Sequence, residues 1–222
     1  MKNYNSLFRQ FPKYAGDSDI PHPLPCEYAA SFLKEMKNGV FVDVGAHDGL
    51  AWSNSFIFEK LFSWTGLCIE ANPSLYEELK TNRDCKFLNC AVDEDEAEQI
   101  FWNIVGYASG LGGLEKGFQN DHTERIKQEL IFKPESVCEK IPMITRRMDS
   151  ILARYRISHI DYLSIDVEGN ELGVLKGMNF DSCSCTLISV ESNDRVSTQN
   201  YLRQFGYNLL TKICNDDFYA KP

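Results

Sequence analysis

The stretch VFVDVGAHDG, residues 40–49, decides how the fold is read. Five residues of almost unbroken apolar character, Val40 to Val44, end at a glycine turn, which is the pattern of a short strand covered on both faces. TGLCIEANP repeats that pattern to Glu70, and CKFLNCAV gives a third run from Cys85 to Val92. Between them lie a helix expected near Trp52–Leu61 and another that starts at Pro73, a residue suited to a helix's first turn. Strand, helix, strand, helix, strand with apolar rather than alternating strands means a parallel sheet and, with right-handed crossovers, a three-layer α/β sandwich. Upstream, CEYAASFLKEMK (26–37) sets Tyr28, Phe32 and Met36 on one helical stripe that Asn38-Gly39 ends. Downstream, QIFWNIV, VCEKIPMIT, HIDYLSID and CTLISVES read as strands, with helices over HTERIKQELI and 149–155. A helix over 196–205 and strands near 207–210 and 218–220 complete the chain. GYASGLGGLEKG is glycine-rich and reads as a mobile loop.

The chain has 222 residues, 43% of them hydrophobic, enough for one domain (1–222), with residues 1–39 as an N-terminal arm and cap helix. No apolar run approaches the roughly 18 residues a membrane span needs. The first residues lack a signal-peptide pattern, so a cytoplasmic location is expected. A net charge of -9 argues against nucleic acid as a partner. Eight cysteines without paired metal-ligand spacing read as free thiols in a reducing compartment.

The candidate site lies at the strand ends. Gly45 and Gly49 form a GxxxG turn in which His47 occupies the middle position of the dinucleotide fingerprint, which disfavours a pyrophosphate. Glu70 ends the second strand, where an acid accepts both hydroxyls of a ribose. That suits NAD or the adenosine of S-adenosylmethionine. Asp43 favours the sulfonium compound, since its field is unhelpful to a pyrophosphate. Asp93, beyond the third strand, is placed to reach an adenine amino group.

VFVDVGAHDG, CIEANP, RRMDSIL and YLSIDVEGNELGVLKGMNF together resemble the signatures of the FkbM family of S-adenosylmethionine-dependent methyltransferases, over residues 40–192. The resemblance implies a class I methyltransferase-like (Rossmann-like) fold with a seven-stranded, mostly parallel sheet whose last strand is antiparallel. It implies O-methylation of hydroxyls on sugars or sugar-like rings. It implies cofactor contacts at Gly45, Ala46 and Gly49, ribose at Glu70 with Ala71 beside it, and adenine near Asp93. The family commonly has asparagine where His47 stands.

The strand-end acids Asp166 and Glu191, with Glu168 two residues on, are expected near the acceptor. One reading has Asp166, Glu191 and Asn193 ligate Mg²⁺, which would lower the pKa of an acceptor hydroxyl. The other has a carboxylate or His47 take the hydroxyl proton, with His122 as the next candidate base. Glu168 either binds acceptor hydroxyls or caps the following helix; Glu171 belongs to that helix's first turn. His159 enters its strand from the far end and His22 sits in the arm. Trp52, Trp102 and Tyr107 are candidates for stacking on a sugar face. The expected partner is a small-molecule or glycan acceptor, with a homodimer possible. The rival functions are a nicotinamide-dependent oxidoreductase and a non-catalytic nucleotide-binding partner domain.

Overall fold

The computed structural model describes residues 23–222; the expectations for most of the arm and for His22 lie outside them. Seven strands form the main sheet: β1 (Val40–Val44), β2 (Thr65–Glu70), β3 (Lys86–Asn89), β7 (His159–Ile165), β8 (Ser184–Val190), β9 (Asn208–Ile213) and β10 (Asp216–Ala220). Their spatial order is β3-β2-β1-β7-β8-β10-β9. The pairs from β3 through β8 are parallel, and β10 runs antiparallel to both β8 and β9. This is the mostly parallel seven-stranded sheet, with its last strand reversed, that the sequence resemblance implies.

Strand alternation sends side chains to opposite faces. Val42, Val44, Leu67 and Ile69 join one apolar cluster with Ile151, Leu152, Val174, Leu175 and Leu202. Those partners come from α5 (Met148–Tyr155), α6 (Glu171–Lys176) and α7 (Arg195–Arg203). Phe41, Cys68, Tyr162, Leu187 and Phe218 face the other way, onto Ala29, Ala30, Phe56, Phe58 and Phe62. These belong to α1 (Pro25–Phe32) and α2 (Phe56–Phe62). Helices on both faces give three layers. The crossover from β2 is α3 (Pro73–Asn82), whose preceding Asn72 side chain accepts hydrogen bonds from the backbone of Ser74 and Leu75.

A second, antiparallel sheet in the order β5-β4-β6 sits over the carboxyl edge. It comprises β4 (Glu98–Val105), β5 (Gly113–Leu114) and β6 (Val137–Ile144), and α4 (Asn120–Phe132) packs its Ile126 against Ile104, Ala108 and Leu111. The glycine-rich segment expected as a loop carries β5 and two 3₁₀ turns, Ser109–Leu111 and Glu115–Gly117.

Three boundaries differ from expectation. α1 ends at Phe32 rather than near Lys37, because Lys34, Glu35 and Asn38 take left-handed backbone. The early turn seats Gly39 on the Trp64 ring, and the Trp64 indole N–H donates to the Met36 carbonyl at 2.7 Å. α2 begins at Phe56, not Trp52, since Trp52 also has a positive φ and belongs to the site loop. β3 ends at Asn89, and Val92 instead bridges Arg146. Among the described residues no helix is long and apolar enough to cross a membrane. All eight cysteines are free.

Candidate active site

A cavity of about 540 Å³ opens at the carboxyl ends of the parallel strands, under the second sheet. That size is in the range of small-molecule sites, roughly 300–1,000 Å³, and its position is where open α/β sheets bind ligands. Val44, Ile69, Leu75, Phe101 and Leu114 give it apolar walls. Gly45, Ala46, His47, Glu70 and Ala71 line one side; Asp166, Glu168 and Glu191 line the other. Asp43 also contributes to the lining.

The first wall is built by backbone. Gly45 and Ala46 both donate to the Ile69 carbonyl, at 2.9 and 3.1 Å. The His47 N–H donates to Glu70 Oε2 at 2.8 Å and the Asn72 N–H to Oε1 at 2.7 Å. Each Glu70 oxygen therefore has one fixed donor and retains acceptor capacity. Burial pushes Glu70 up to about 7, against the pull of those two N–H groups. Asp43 is buried, which raises its pKa, while it accepts from the Ser55 hydroxyl and feels the Arg83 guanidinium. Arg83 is buried too and donates to Glu59, the Gly49 carbonyl, Ser53 and Ser55.

His47 sits at φ +53. Its Nδ1 lies 3.5 Å from Asp48 Oδ1, and its Nε2 3.4 Å from the Ser109 hydroxyl. Burial disfavours its cationic form, but Asp48 and Glu70 outweigh burial and raise its pKa. Asp48 is itself held by the N–H groups of Leu50 and Ala51, at 2.9 and 2.7 Å. Burial opposes its ionisation, yet these bonds and His47 bring Asp48 down to about 2.

The second wall is built by strand ends. Asp166 follows Ile165 of β7, Glu191 follows Val190 of β8, and Ile165 and Val190 are register partners. Asp216, which the sequence reading did not select, joins them. Because β10 is antiparallel and Asp217 pairs with Val190, its first residue enters the sheet beside Glu191. Asn54 donates to Asp216 Oδ1 and to the Ser164 hydroxyl, and Asn215 donates to Glu191 Oε1. Burial, then the Glu191 and Glu168 charges, push the Asp166 carboxyl well above the usual range. Burial and Glu191 push Asp216 up to about 7.

Glu168 has φ +57 and is pushed up to about 7 by burial and by Glu191, with Arg125 opposing. The N-cap of α6 is Asn170, which makes no side-chain cap bond, and Glu171 Oε1 accepts from the Gly169 N–H at 2.6 Å in the turn before the helix. His122 lies outside the cavity lining: its Nε2 is 3.1 Å from the Leu111 carbonyl, its Nδ1 3.7 Å from Glu168. Burial lowers its pKa.

Other expected site residues fall elsewhere. Asp93 is fully buried, pairs with Lys116 and accepts from Asn170, and does not line the cavity. The chain turns there from Val92 toward the second sheet, which carries the carboxylate away from the Glu70 side of the cavity. Asn193 is exposed and lines a separate groove beside α6, because the chain past β8 bends toward α7. The trio Asp166, Glu191 and Asn193 is thus not assembled, and among the described residues no group of three or more His, Cys, Asp or Glu side chains is arranged to hold a metal ion. Trp52 lines the cavity and is 58% exposed. Trp102 instead packs edge-on against Phe118, and Tyr107 lies under Lys133. His159 contacts Ser184 at the far end of β7.

The site suits S-adenosylmethionine on its own chemistry. Glu70 offers free lone pairs to a diol, the walls between are apolar, and the surrounding acids match a sulfonium charge. A family model, the methyltransferase FkbM domain, matches residues 43–211. No curated protein matches in sequence. The structure is similar to a crystal structure of methyltransferase FkbM from Methylobacillus flagellatus KT, with 12% identity and a TM-score of 0.51, covering 97% of this chain. The chain spans only 58% of that protein's length. A weaker likeness, with a TM-score of 0.46 and 12% identity, is to a human methyltransferase 10 domain containing protein, over 97% of this chain and 91% of that one. The match over residues 43–211 covers most of the sequence, and the chain belongs to the FkbM methyltransferase family.

Proposed function

We propose that the protein transfers a methyl group from S-adenosylmethionine to a hydroxyl of a sugar or glycan. The observation that carries this reading is the division of one cavity between Glu70 on the cofactor side and Asp166, Glu168 and Glu191 opposite. When bound, S-adenosylmethionine supplies an electrophilic methyl on a sulfonium. Glu70 accepts the ribose hydroxyls with the lone pairs its backbone donors leave free. Asp166 and Glu168 accept hydrogen bonds from neighbouring acceptor hydroxyls and fix one oxygen in line with the methyl. His47 Nε2 faces the cavity and takes the departing proton, with Asp48 orienting the ring at Nδ1. Ser109, Gly110, Gly112 and Gly113 cover the site against water. Trp52 offers an exposed aromatic face of the kind sugars stack on.

Two variants test the division. Glu70→Ala weakens S-adenosylmethionine binding about tenfold or more, the value of a lost charged hydrogen bond. Asp166→Asn leaves that binding intact and lowers kcat by about 100-fold. Calorimetric titration and methyl transfer to a panel of glycosides measure both. Normal methylation by both variants rejects the site.

A further inference from the structure

Three carboxylates stand side by side on the acceptor wall, and none of them has an ion-pair partner among the described residues. Asp166, Glu191 and Asp216 occupy the ends of three consecutive strands, β7, β8 and β10. Adjacent strands are about 5 Å apart, so each acid lies within reach of its neighbour's field. Asn54 and Asn215 hold Asp216 and Glu191 in place, but both are neutral amides. Among the described residues the one cationic side chain of fixed charge in the lining is Arg125, which acts on Glu168. Among the described residues Asp216, only 4% exposed, has no ion-pair partner. Asp166 is a second, separate sign of a ligand. It lines the cavity, where it is half-buried and its charge is disfavoured. Yet its carboxylate accepts no hydrogen bond from any described residue. Enclosed carboxylates are costly unless paired and hydrogen-bonded. The single sulfonium charge of the cofactor leaves this row in excess.

We propose that the acceptor carries a protonated amine that lies against Asp166, Glu191 and Asp216, beside the hydroxyl that receives the methyl. An amino sugar is the simplest such molecule: its ammonium gives three donors for three carboxylates, and its hydroxyls remain for Glu168, His47 and the second oxygen of Asp166. A neutral sugar satisfies the hydrogen bonds and leaves the charge unanswered; an N-acetylated one removes the charge and adds bulk. The inference rests on the reading of this cavity as the acceptor site, and it is tested by binding, independently of turnover.

The protein saturated with S-adenosylhomocysteine is titrated calorimetrically with three methyl glycosides that differ at one carbon, bearing an amine, a hydroxyl or an N-acetyl group. The amine is expected to bind about tenfold more tightly or better than either partner, the worth of one charged hydrogen bond. Asp216→Asn and Glu191→Gln are each expected to reduce that preference. A second measurement, S-adenosylhomocysteine affinity and melting temperature of each variant, shows that the cofactor site and the fold persist. Equal affinity across the three glycosides, or a preference that survives both substitutions, overturns the proposal. Tight amine binding without methyl transfer to its hydroxyl upholds the proposal and refutes the O-methylation reading instead.

Discussion

On and just behind the β1–β2 wall of the cavity every acid meets a donor from within the chain: Glu70 two backbone N–H groups, Asp43 a serine hydroxyl beside Arg83, and Asp48, behind His47, two more N–H groups. On the β7–β10 wall Asp166 meets none, while Glu191 and Asp216 meet only amides and a hydroxyl. The first arrangement fixes a loop and leaves only Glu70 with lone pairs to spare; the second leaves most of its binding capacity unspent. Acids that complete the fold and acids that wait for a ligand therefore differ in their partners and not in their residue type.

Arg83→Ala tests the first class most severely. It removes the donor to Glu59 and the charge beside Asp43, and breaking a buried pair costs about 3–5 kcal/mol; chemical denaturation should show a loss of that size. A loss under about 1 kcal/mol would mean that the pairing is incidental. Lys116→Met should cost less, about 1–3 kcal/mol for stranding the buried Asp93 carboxylate, because Lys116 is partly exposed. It should leave S-adenosylmethionine affinity unchanged if Asp93 serves the fold alone, and weakened affinity would return Asp93 to the cofactor.

The second class predicts an opposite sign. Asp216 titrates near 7 in the folded chain and near 3.9 unfolded, so the folded state binds the extra proton. Its contribution is fully present below about pH 4 and is lost as pH rises toward 7. Asp216→Asn should flatten the fall in melting temperature between about pH 4 and 7. At pH 8 it should raise that temperature by roughly 2–4 °C for each kcal/mol relieved. Unchanged slopes in parallel melts would show that the acid is compensated.

The smallest effect concerns His47, whose pKa is raised by Asp48 and Glu70. Asp48→Asn should lower it and move the acidic limb of the kcat–pH profile to lower pH. A fixed limb would assign the base elsewhere.

Strand ends were legible because a parallel strand announces its own terminus: an apolar run, then an acid. Asp43, Glu70, Asp166 and Glu191 were found that way. Asp216 was not, since its strand is antiparallel and it stands at the beginning of the run, so only the sheet order brings it to the same edge. The DD pair in ICNDDFYA was the available signal. Arg125 was hidden for a different reason: it lies on α4, and which helix covers a cavity is a matter of packing. Asp93 shows the converse, an acid at the right place in sequence that the following turn carries off to Lys116. Trp52 ceased to look helical only once the turn it occupies was visible.

Gly45 gives the two walls a common hinge pin. A Cβ on it would lie 1.6 Å from the Asp166 carbonyl oxygen, backbone against backbone. The separation between donor loop and receiving strand is consequently set by main chain alone, the part of a protein least altered by mutation. Side chains around it are free to diversify while the spacing between the two walls stays the same.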